Sequence, residues 1–361
     1  EILEVWLETF RRLSRVLLIV LFLSGCTPSP VHSQPSQREL VFLNWENDLP
    51  LTVLQKFEQE HGVKVHYRTY DSLEEAVSVI RAGERVDVAN LDVRYIPALK
   101  EAGLLLPLRQ DRLPNYKNIS ADFRFLVFDP ENHYSIPYNW GITGLLVRID
   151  LLPRPVSRWS DLWDITLTPQ VALYRGEKRE LAGIALKSLG YSVNTENPVE
   201  LEQAFQRLAE LKQRAVFIED LGLTSPLELV LEGETPLAMA FAYDWVEAEQ
   251  QTGEVTMVLP EEGALLWYES FVIPRSCADQ DAAELFLNYL MRPEIAAEIA
   301  DFNHYATPNV AAWELIAPQV RQNPLIFPDN TILERSEMIL PLSPQGESFH
   351  DELWQRYIDT P

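Results

Sequence analysis

The chain has 361 residues, of which 54 are acidic and 30 basic, so its formal net charge is −24 at pH 7. This acidity excludes a nucleic-acid-binding protein, because the surface would repel phosphate, and it suits either a cationic ligand or simple solvation of the surface. The two cysteines and six histidines lack metal-ligand spacing and no nucleotide-binding or hydrolase motif occurs, so we expect no metal, no cofactor and no catalysis.

The N-terminal segment has the pattern of a bacterial lipoprotein signal. Three arginines precede a short apolar stretch, 16–23, and the sequence LSGC, which ends at Cys26. Cleavage before Cys26 and acylation of its sulfur would anchor the mature protein to a membrane, outside the cytoplasm. The alternatives are an ordinary signal peptide and a transmembrane anchor, although a membrane span needs about 20 apolar residues. We predict a signal peptide over 1–25 and a lipidated Cys26 with a flexible, Pro- and Ser-rich tether over 26–37.

The next part of the chain alternates between predicted strands and helices. Apolar runs indicate strands, and apolar residues at helical spacing indicate helices. In chain order we predict strand 40–44, helix 51–60, strand 63–69, helix 72–82, strand 86–91 and helix 95–102. This order is typical of a largely parallel sheet with helices on both faces, whose ligands bind at the carboxyl ends of the strands. We therefore expect segments 45–48 and 92–94, which follow strands, to lie at that edge.

The middle of the chain predicts a second α/β unit. Strands are expected at 171–174, 236–241, 255–259 and 271–273. Helices are expected to begin at Asn197-Pro198, to cover 281–291 and to begin again at Pro293. Two α/β units joined by extended segments predict a cleft between them.

Aromatic and acidic side chains occur together at several of these strand ends. An aliphatic polyamine needs this combination, because carboxylates bind its ammonium groups and aromatic rings cover its methylene chain. Each such residue alone is more often part of a core or of a solvated surface, so the prediction depends on their joint occurrence. The groups are Trp45 with Glu46 and Asp48, Asp92, Glu177 with Glu180 on one helix face, Phe241 and Tyr243 with Asp244, Trp267 with Glu269, and Tyr305.

Six segments of the chain resemble the spermidine/putrescine-binding receptors of bacterial ABC importers. They are LNWENDLP, YSIPYNWGITGLLV, SRWSDLWD, ALKSLGYSVNTENP, LLWYESFVIP and HYATPNVAA. The resemblance extends over nearly the whole folded chain and implies an α/β fold of the type II periplasmic-binding-protein class, with a ligand clamped between two lobes. We accordingly expect lobe 1 to comprise 38–142 plus 269–312, and lobe 2 to comprise 143–268 plus 313–361.

The resemblance implies a role for several cleft residues. It makes Trp45, Phe241 and Trp267 aromatic walls, although the family usually has Trp at the position of Phe241. It makes Glu269 an acid that holds an amine, where the family usually has Asp. It further implies that Glu177 and Glu180 form the acid pair that grips an amine of longer polyamines. Asp244 matches an acid used by putrescine-preferring members, and Tyr305 matches the family's tyrosine.

The chain departs from this family in two segments. Glu46 and Asp48 replace a Thr or Ser and a Tyr, and Asp92 and Arg94 replace a Ser and a Tyr. An unpaired arginine would repel a cationic ligand. Either Arg94 pairs with Asp92, Glu46 or Asp48 and shrinks the pocket, or it binds a ligand carboxylate. The second interpretation makes the ligand a zwitterionic ω-amino acid such as γ-aminobutyrate.

The leading hypothesis is a monomeric, lipid-anchored, extracytoplasmic receptor. It would capture a polyamine and deliver it to an ABC permease and its ATPase, with closure of the lobes as the signal. One alternative keeps this role for an ω-amino acid. A second is a hydrolase with Glu177 and Glu180 as paired acids. A third is a sensor or adhesion module without transport. A neighbouring permease and ATPase gene would favour the receptor over this alternative.

Overall fold

The computed structural model describes residues 38–218 and 226–359, and the chain from Arg38 onward forms one compact unit. The predicted signal peptide, the lipidated Cys26 and the tether lie outside the described residues. Within the two described ranges, no helix is both long enough and apolar enough to cross a membrane.

The described residues contain ten strands in one sheet. They are β1 (Arg38–Trp45), β2 (Val63–Tyr70), β3 (Val88–Asp92), β4 (Ser135–Arg148), β5 (Val171–Tyr174), β6 (Ala215–Ile218), β7 (Leu237–Phe241), β8 (Val255–Val258), β9 (Leu265–Val272) and β10 (Glu337–Met338). The strand order is β2-β1-β3-β9-β4-β7-β5-β6, with β8 beside β4 and β10 beside β9.

Helices follow most of these strands. They are α1 (Leu51–His61), α2 (Leu73–Arg81), α3 (Ile96–Glu101), α4 (Lys178–Ser188), α5 (Pro198–Lys212), α6 (Pro226–Leu231), α7 (Ala242–Gln251), α8 (Gln280–Leu290), α9 (Pro293–Asn303), α10 (Pro318–Arg321), α11 (Asn330–Arg335) and α12 (Pro344–Asp359). Local signals set several of their ends. The Ser72 hydroxyl accepts from the Glu75 N–H at the start of α2, and Gly62 takes a left-handed φ of 66° after α1.

The sheet is mixed: the predicted parallel arrangement is confirmed for β1, β2 and β3, whereas the centre of the sheet, which was not predicted, is antiparallel. β1 pairs in parallel with β2 and β3, and β5 pairs in parallel with β6 and β7. Between these groups, β4 and β9 run antiparallel to each other and to their outer neighbours β7 and β3. The sequence analysis missed β4 because its 14 residues are almost all buried and lack alternation, while Pro137, Asn139 and Gly141 resemble turn residues.

Two large apolar cores lie along this sheet. The first packs against β1 and includes Phe42, Phe57 and Phe286, whose rings meet edge to face at centroid distances of 5.2 and 4.9 Å. The second packs around β5 and β7 and includes the fully buried Trp159 and Leu186. Burial of each such side chain stabilises the fold by about 1.5–3 kcal/mol. β4 and β9 supply residues to both cores, so these two strands connect them.

Candidate functional site

All twelve candidate ligand-binding side chains line one cavity. The empty volume of this central cavity is about 1310 Å³, which includes some open solvent. The twelve residues are Trp45, Glu46, Asp48, Asp92, Arg94, Glu177, Glu180, Phe241, Asp244, Trp267, Glu269 and Tyr305. Tyr243, which the sequence placed beside Asp244, also lines it, and five residues that the sequence did not indicate complete the lining: Asn47, Leu73, Tyr174, Glu247 and Asn303.

Strand register brings the central residues together. Glu269 in β9 lies opposite Asp92 in β3 and opposite Asn139 in β4, and Trp267 lies opposite Gly141. Directly opposed residues of antiparallel strands project on the same face, with their Cβ atoms about 5 Å apart. The carboxyl groups of Asp92 and Glu269 therefore rise side by side from the middle of the sheet.

Glu269 is held by neutral hydrogen-bond donors. The indole N–H of Trp45 donates to Oε1 at 2.5 Å, and the amide of Asn90 donates to Oε2 at 2.7 Å. Burial and the charge of Asp48 raise the pKa of Glu269 to about 8. Among the described residues, no Lys or Arg forms an ion pair with this carboxylate. An ammonium group of a ligand would supply the missing positive charge.

Asp48 is fixed in the same region of the cavity. Its Oδ2 accepts from the Asn44 amide at 2.9 Å and from the Tyr138 hydroxyl at 2.6 Å. Burial raises its pKa despite these hydrogen bonds. Glu46, two residues earlier, is exposed. We call Trp45, Asp48 and Glu269 the open end of the cavity, because no Lys or Arg within 38–218 and 226–359 forms an ion pair with its acids.

Aromatic rings form a continuous wall along the cavity. The rings of Trp267 and Tyr305 meet nearly at right angles at 4.7 Å, and those of Phe241 and Trp267 do so at 6.2 Å. Tyr174 extends the wall by stacking on Phe241 at 5.5 Å. Trp267 takes this position because Gly141 has no side chain: a Cβ there would lie 2.2 Å from Cζ2 of the indole.

Asp244 lies beside this wall at the start of α7. Its Oδ2 accepts from the Phe241 N–H at 2.8 Å, so it caps the helix while lining the cavity. Burial raises the pKa of Asp244 to about 7, although that N–H favours the ionised form. The carboxylate is 5% exposed and is available to a second ammonium group.

Arg94 is already paired with two carboxylates. Its Nε donates to Asp92 Oδ1 at 2.8 Å, and its two Nη atoms lie 3.3 and 3.5 Å from the carboxylate oxygens of Glu180. The predicted pairing with Asp92 is confirmed, and the second partner is Glu180 instead of Glu46 or Asp48. Each guanidinium nitrogen thus has a carboxylate oxygen within 3.5 Å, and the side chain is 9% exposed.

Glu177 and Glu180 are neighbours in the cavity, and their carboxyl groups influence each other's ionisation. Glu177 precedes α4 and only Glu180 lies in the helix, where the prediction had both on one helix face. Burial and the neighbouring Glu180 raise the pKa of Glu177 well above its usual value. Burial also disfavours ionised Glu180, but the charge of Arg94 and the hydrogen bond from Glu177 outweigh it and lower the pKa of Glu180. We call Asp92, Arg94, Glu177 and Glu180 the filled end.

This arrangement bears on the hydrolase alternative. A retaining glycosidase holds its two carboxyl groups about 5 Å apart with the substrate between them. The carboxyl group of Glu177 instead neighbours that of Glu180, and the Glu180 carboxylate binds Arg94. The pair is therefore unsuited to flank a glycosidic bond.

The lining as a whole favours cations. It contains one guanidinium, that of Arg94, and eight carboxyl groups, namely those of Glu46, Asp48, Asp92, Glu177, Glu180, Asp244, Glu247 and Glu269. Two lining residues that the sequence analysis left out were detectable. Tyr174 ends a predicted strand as Trp45 does, and Glu247 lies three residues after Asp244 on one face of α7.

Comparison with known proteins gives consistent matches. Residues 52–328 match the family of bacterial extracellular solute-binding proteins. The spermidine/putrescine-binding periplasmic protein of Escherichia coli (strain K12) is 32% identical over 321 residues, which cover 88% of this chain and 90% of that protein. The spermidine/putrescine ABC transporter substrate-binding protein PotD of Streptococcus pneumoniae superposes with a TM-score of 0.77 at 28% identity, covering 89% of this chain and 98% of that chain. A lipoprotein of Treponema pallidum superposes with a TM-score of 0.78 at 25% identity, covering 88% and 99%.

Proposed function

The chain belongs to the family of bacterial extracellular solute-binding proteins, and we propose that it is the receptor that delivers a polyamine to an ABC importer. The central cavity carries this proposal, because eight carboxyl groups surround an aromatic wall and the protein supplies one cation. Ammonium groups pair with carboxylates, and methylene groups pack on aromatic rings. The names of the relatives in Escherichia coli and Streptococcus pneumoniae support the same ligand class.

In this proposal the ligand joins two lobes. Lobe 1 comprises 38–142 plus 269–312 and lobe 2 comprises 143–268 plus 313–361, with β4 and β9 as the connecting strands. One ammonium group binds Glu269 at the open end, and the other binds Asp244 in the opposite lobe. The methylene chain crosses the face of Trp267. Contacts to both lobes favour the closed form, which the permease recognises, and no bond is made or broken.

The arrangement of Arg94 favours a polyamine over an ω-amino acid. A ligand carboxylate would have to compete with Asp92 and Glu180 for the guanidinium, since both already hold it. It would also enter a cavity lined by six further carboxyl groups, where like charges repel it.

Titration calorimetry tests the proposal with putrescine, spermidine, spermine and γ-aminobutyrate. We expect at least one polyamine to bind with a Kd of about 1 μM or lower, equivalent to about −8 kcal/mol, and γ-aminobutyrate to bind at least about 100-fold more weakly. No measurable polyamine binding at about 1 mM, or tighter binding of γ-aminobutyrate, would contradict the proposed ligand class.

We propose that the receptor is a monomer anchored through a lipidated Cys26. Two acyl chains give stable anchoring that a single chain does not. Cys26→Ser is therefore expected to move the protein from the membrane fraction to the soluble fraction. Cys277→Ser, which changes the other cysteine of the chain, is the control and leaves the protein in the membrane. A Cys26→Ser protein that resists washing from membranes would refute the anchor.

A further inference from the structure

Arg94 lies between the central cavity and a second space. The empty volume of this outer groove is about 530 Å³, which includes some open solvent. Four residues line both spaces: Leu73, Arg94, Tyr174 and Glu177. The side chain of Arg94 thus contributes to a partition that separates the filled end of the cavity from the groove.

The partition is firmly held. The backbone N–H and the Nε of Arg94 both donate to Asp92 Oδ1 at 2.8 Å, and the guanidinium reaches Glu180, which is 86 residues away in the chain. Arg94 follows β3 and Glu180 belongs to α4 after β5, so the ion pair joins the two α/β units. Removing a guanidinium from two buried carboxylates is unfavourable unless another cation replaces it.

The two ends of the cavity therefore differ in what they offer a ligand. At the filled end, one guanidinium already faces Asp92 and Glu180. At the open end, the side-chain donors to Glu269 are the neutral Trp45 and Asn90. A ligand ammonium group gains most at acids that lack a cation, and near Arg94 it meets a like charge.

We propose that Arg94 determines specificity by taking the place of a ligand ammonium group. Its guanidinium occupies the position between Asp92 and Glu180, and it thereby limits the receptor to aliphatic diamines and excludes triamines. This inference rests on the proposed polyamine-binding function. A triamine has a third ammonium group, which finds no free acid at the filled end and no path into the outer groove.

Calorimetry on wild type and Arg94→Ala tests the inference. We expect the wild type to bind 1,4-diaminobutane, which is putrescine, at least about tenfold more tightly than spermidine. Arg94→Ala frees Asp92 and Glu180 and joins the cavity to the groove, so the ratio of spermidine affinity to diamine affinity rises by at least about tenfold. Adding Glu180→Gln to that variant removes one freed acid and reverses most of the gain.

Two further variants separate charge from space. Arg94→Lys keeps a cation and is expected to retain the preference for the diamine, whereas Arg94→Gln keeps much of the volume without the charge and is expected to lose it. Arg68→Ala is the control, because Arg68 is a half-buried arginine that pairs with Glu84 at 2.7 Å, outside the cavity. Arg68→Ala changes the net charge by the same amount as Arg94→Ala. It should leave the ratio of spermidine affinity to diamine affinity unaltered.

The outcomes distinguish this inference from the proposed function. Equal binding of diamine and spermidine by the wild type overturns the role of Arg94 and leaves a polyamine receptor. If the ratio of spermidine affinity to diamine affinity is unchanged in both Arg94→Ala and Arg94→Gln, the role of Arg94 is likewise overturned. Arg94→Gln provides the test if Arg94→Ala does not fold. Failure of every polyamine to bind the wild type overturns the proposed function, and this inference falls with it.

Discussion

Both ends of the central cavity contain buried acids, but at the filled end a cation of the protein pairs with two of them. At the open end, Glu269 accepts hydrogen bonds from neutral groups, and its pKa is raised to about 8. At the filled end, Asp92 and Glu180 hold Arg94, and the pKa of Glu180 is lowered. Buried acids without a protein cation indicate where a cationic ligand binds. Buried acids that already pair with a protein cation indicate where the bound ligand ends.

The largest expected effect comes from removing the charge at the open end. A buried ion pair that loses one partner costs about 3–5 kcal/mol, so Glu269→Gln should weaken diamine binding by at least about 100-fold. Glu254→Gln is a matched control, because Glu254 is exposed and outside the cavity, and its affinity should equal that of the wild type. Calorimetry measures both. An unchanged Kd in Glu269→Gln would remove this residue from the site.

The second prediction uses the raised pKa values of Glu269 and Asp244, about 8 and about 7. A diamine remains charged between pH 6 and 8 and binds the ionised carboxylates, so binding releases protons. Affinity should therefore rise by about tenfold or more from pH 6 to pH 8 and level off above it. Titrations in buffers of different ionisation enthalpy count the released protons. An affinity independent of pH would show that these carboxyl groups are ionised before the ligand arrives, and proton uptake would contradict binding to the ionised carboxylates.

A smaller effect is expected from moving the aromatic wall. Gly141→Ala places a Cβ where the Trp267 indole lies, and overpacking of this kind typically costs about 1–3 kcal/mol. We expect diamine binding to weaken by roughly tenfold and the protein to unfold at a lower temperature. Gly253→Ala is the control, since no atom lies within 4 Å of a Cβ at that exposed turn. Equal affinity in both variants would mean that the position of Trp267 does not matter.

The smallest effect on the diamine is expected at the filled end. In Glu180→Gln, Arg94 keeps its ion pair with Asp92 at 2.8 Å and still occupies the filled end. The Kd for 1,4-diaminobutane should change by less than about threefold, whereas Glu269→Gln changes it far more. A large loss in Glu180→Gln would mean that the ligand uses both ends of the cavity.

Local patterns predicted much of the fold. The strand and helix signals between Leu40 and Gly103 depend on neighbouring residues, such as Ser72 at a helix start, and these elements are present. β4 could not be predicted in this way, because it is buried along nearly its whole length and its burial depends on both cores. The antiparallel centre of the sheet was missed with it.

The candidate site was predictable as a set of residues and not as an electrostatic arrangement. Strand ends and the family resemblance indicated Glu269, Trp267 and Asp244. The second partner of Arg94 was not predictable, because Glu180 is 86 residues away and approaches only when the two α/β units fold together. The raised pKa of Glu177 likewise depends on burial, which spacing in the sequence does not reveal.

A crystal structure of the protein with 1,4-diaminobutane tests the difference between the two ends most directly. The account predicts one ammonium group against Glu269, with Arg94 still 2.8 Å from Asp92 and about 3.3 Å from Glu180. It would be contradicted by an ammonium group between Asp92 and Glu180 with Arg94 displaced from both.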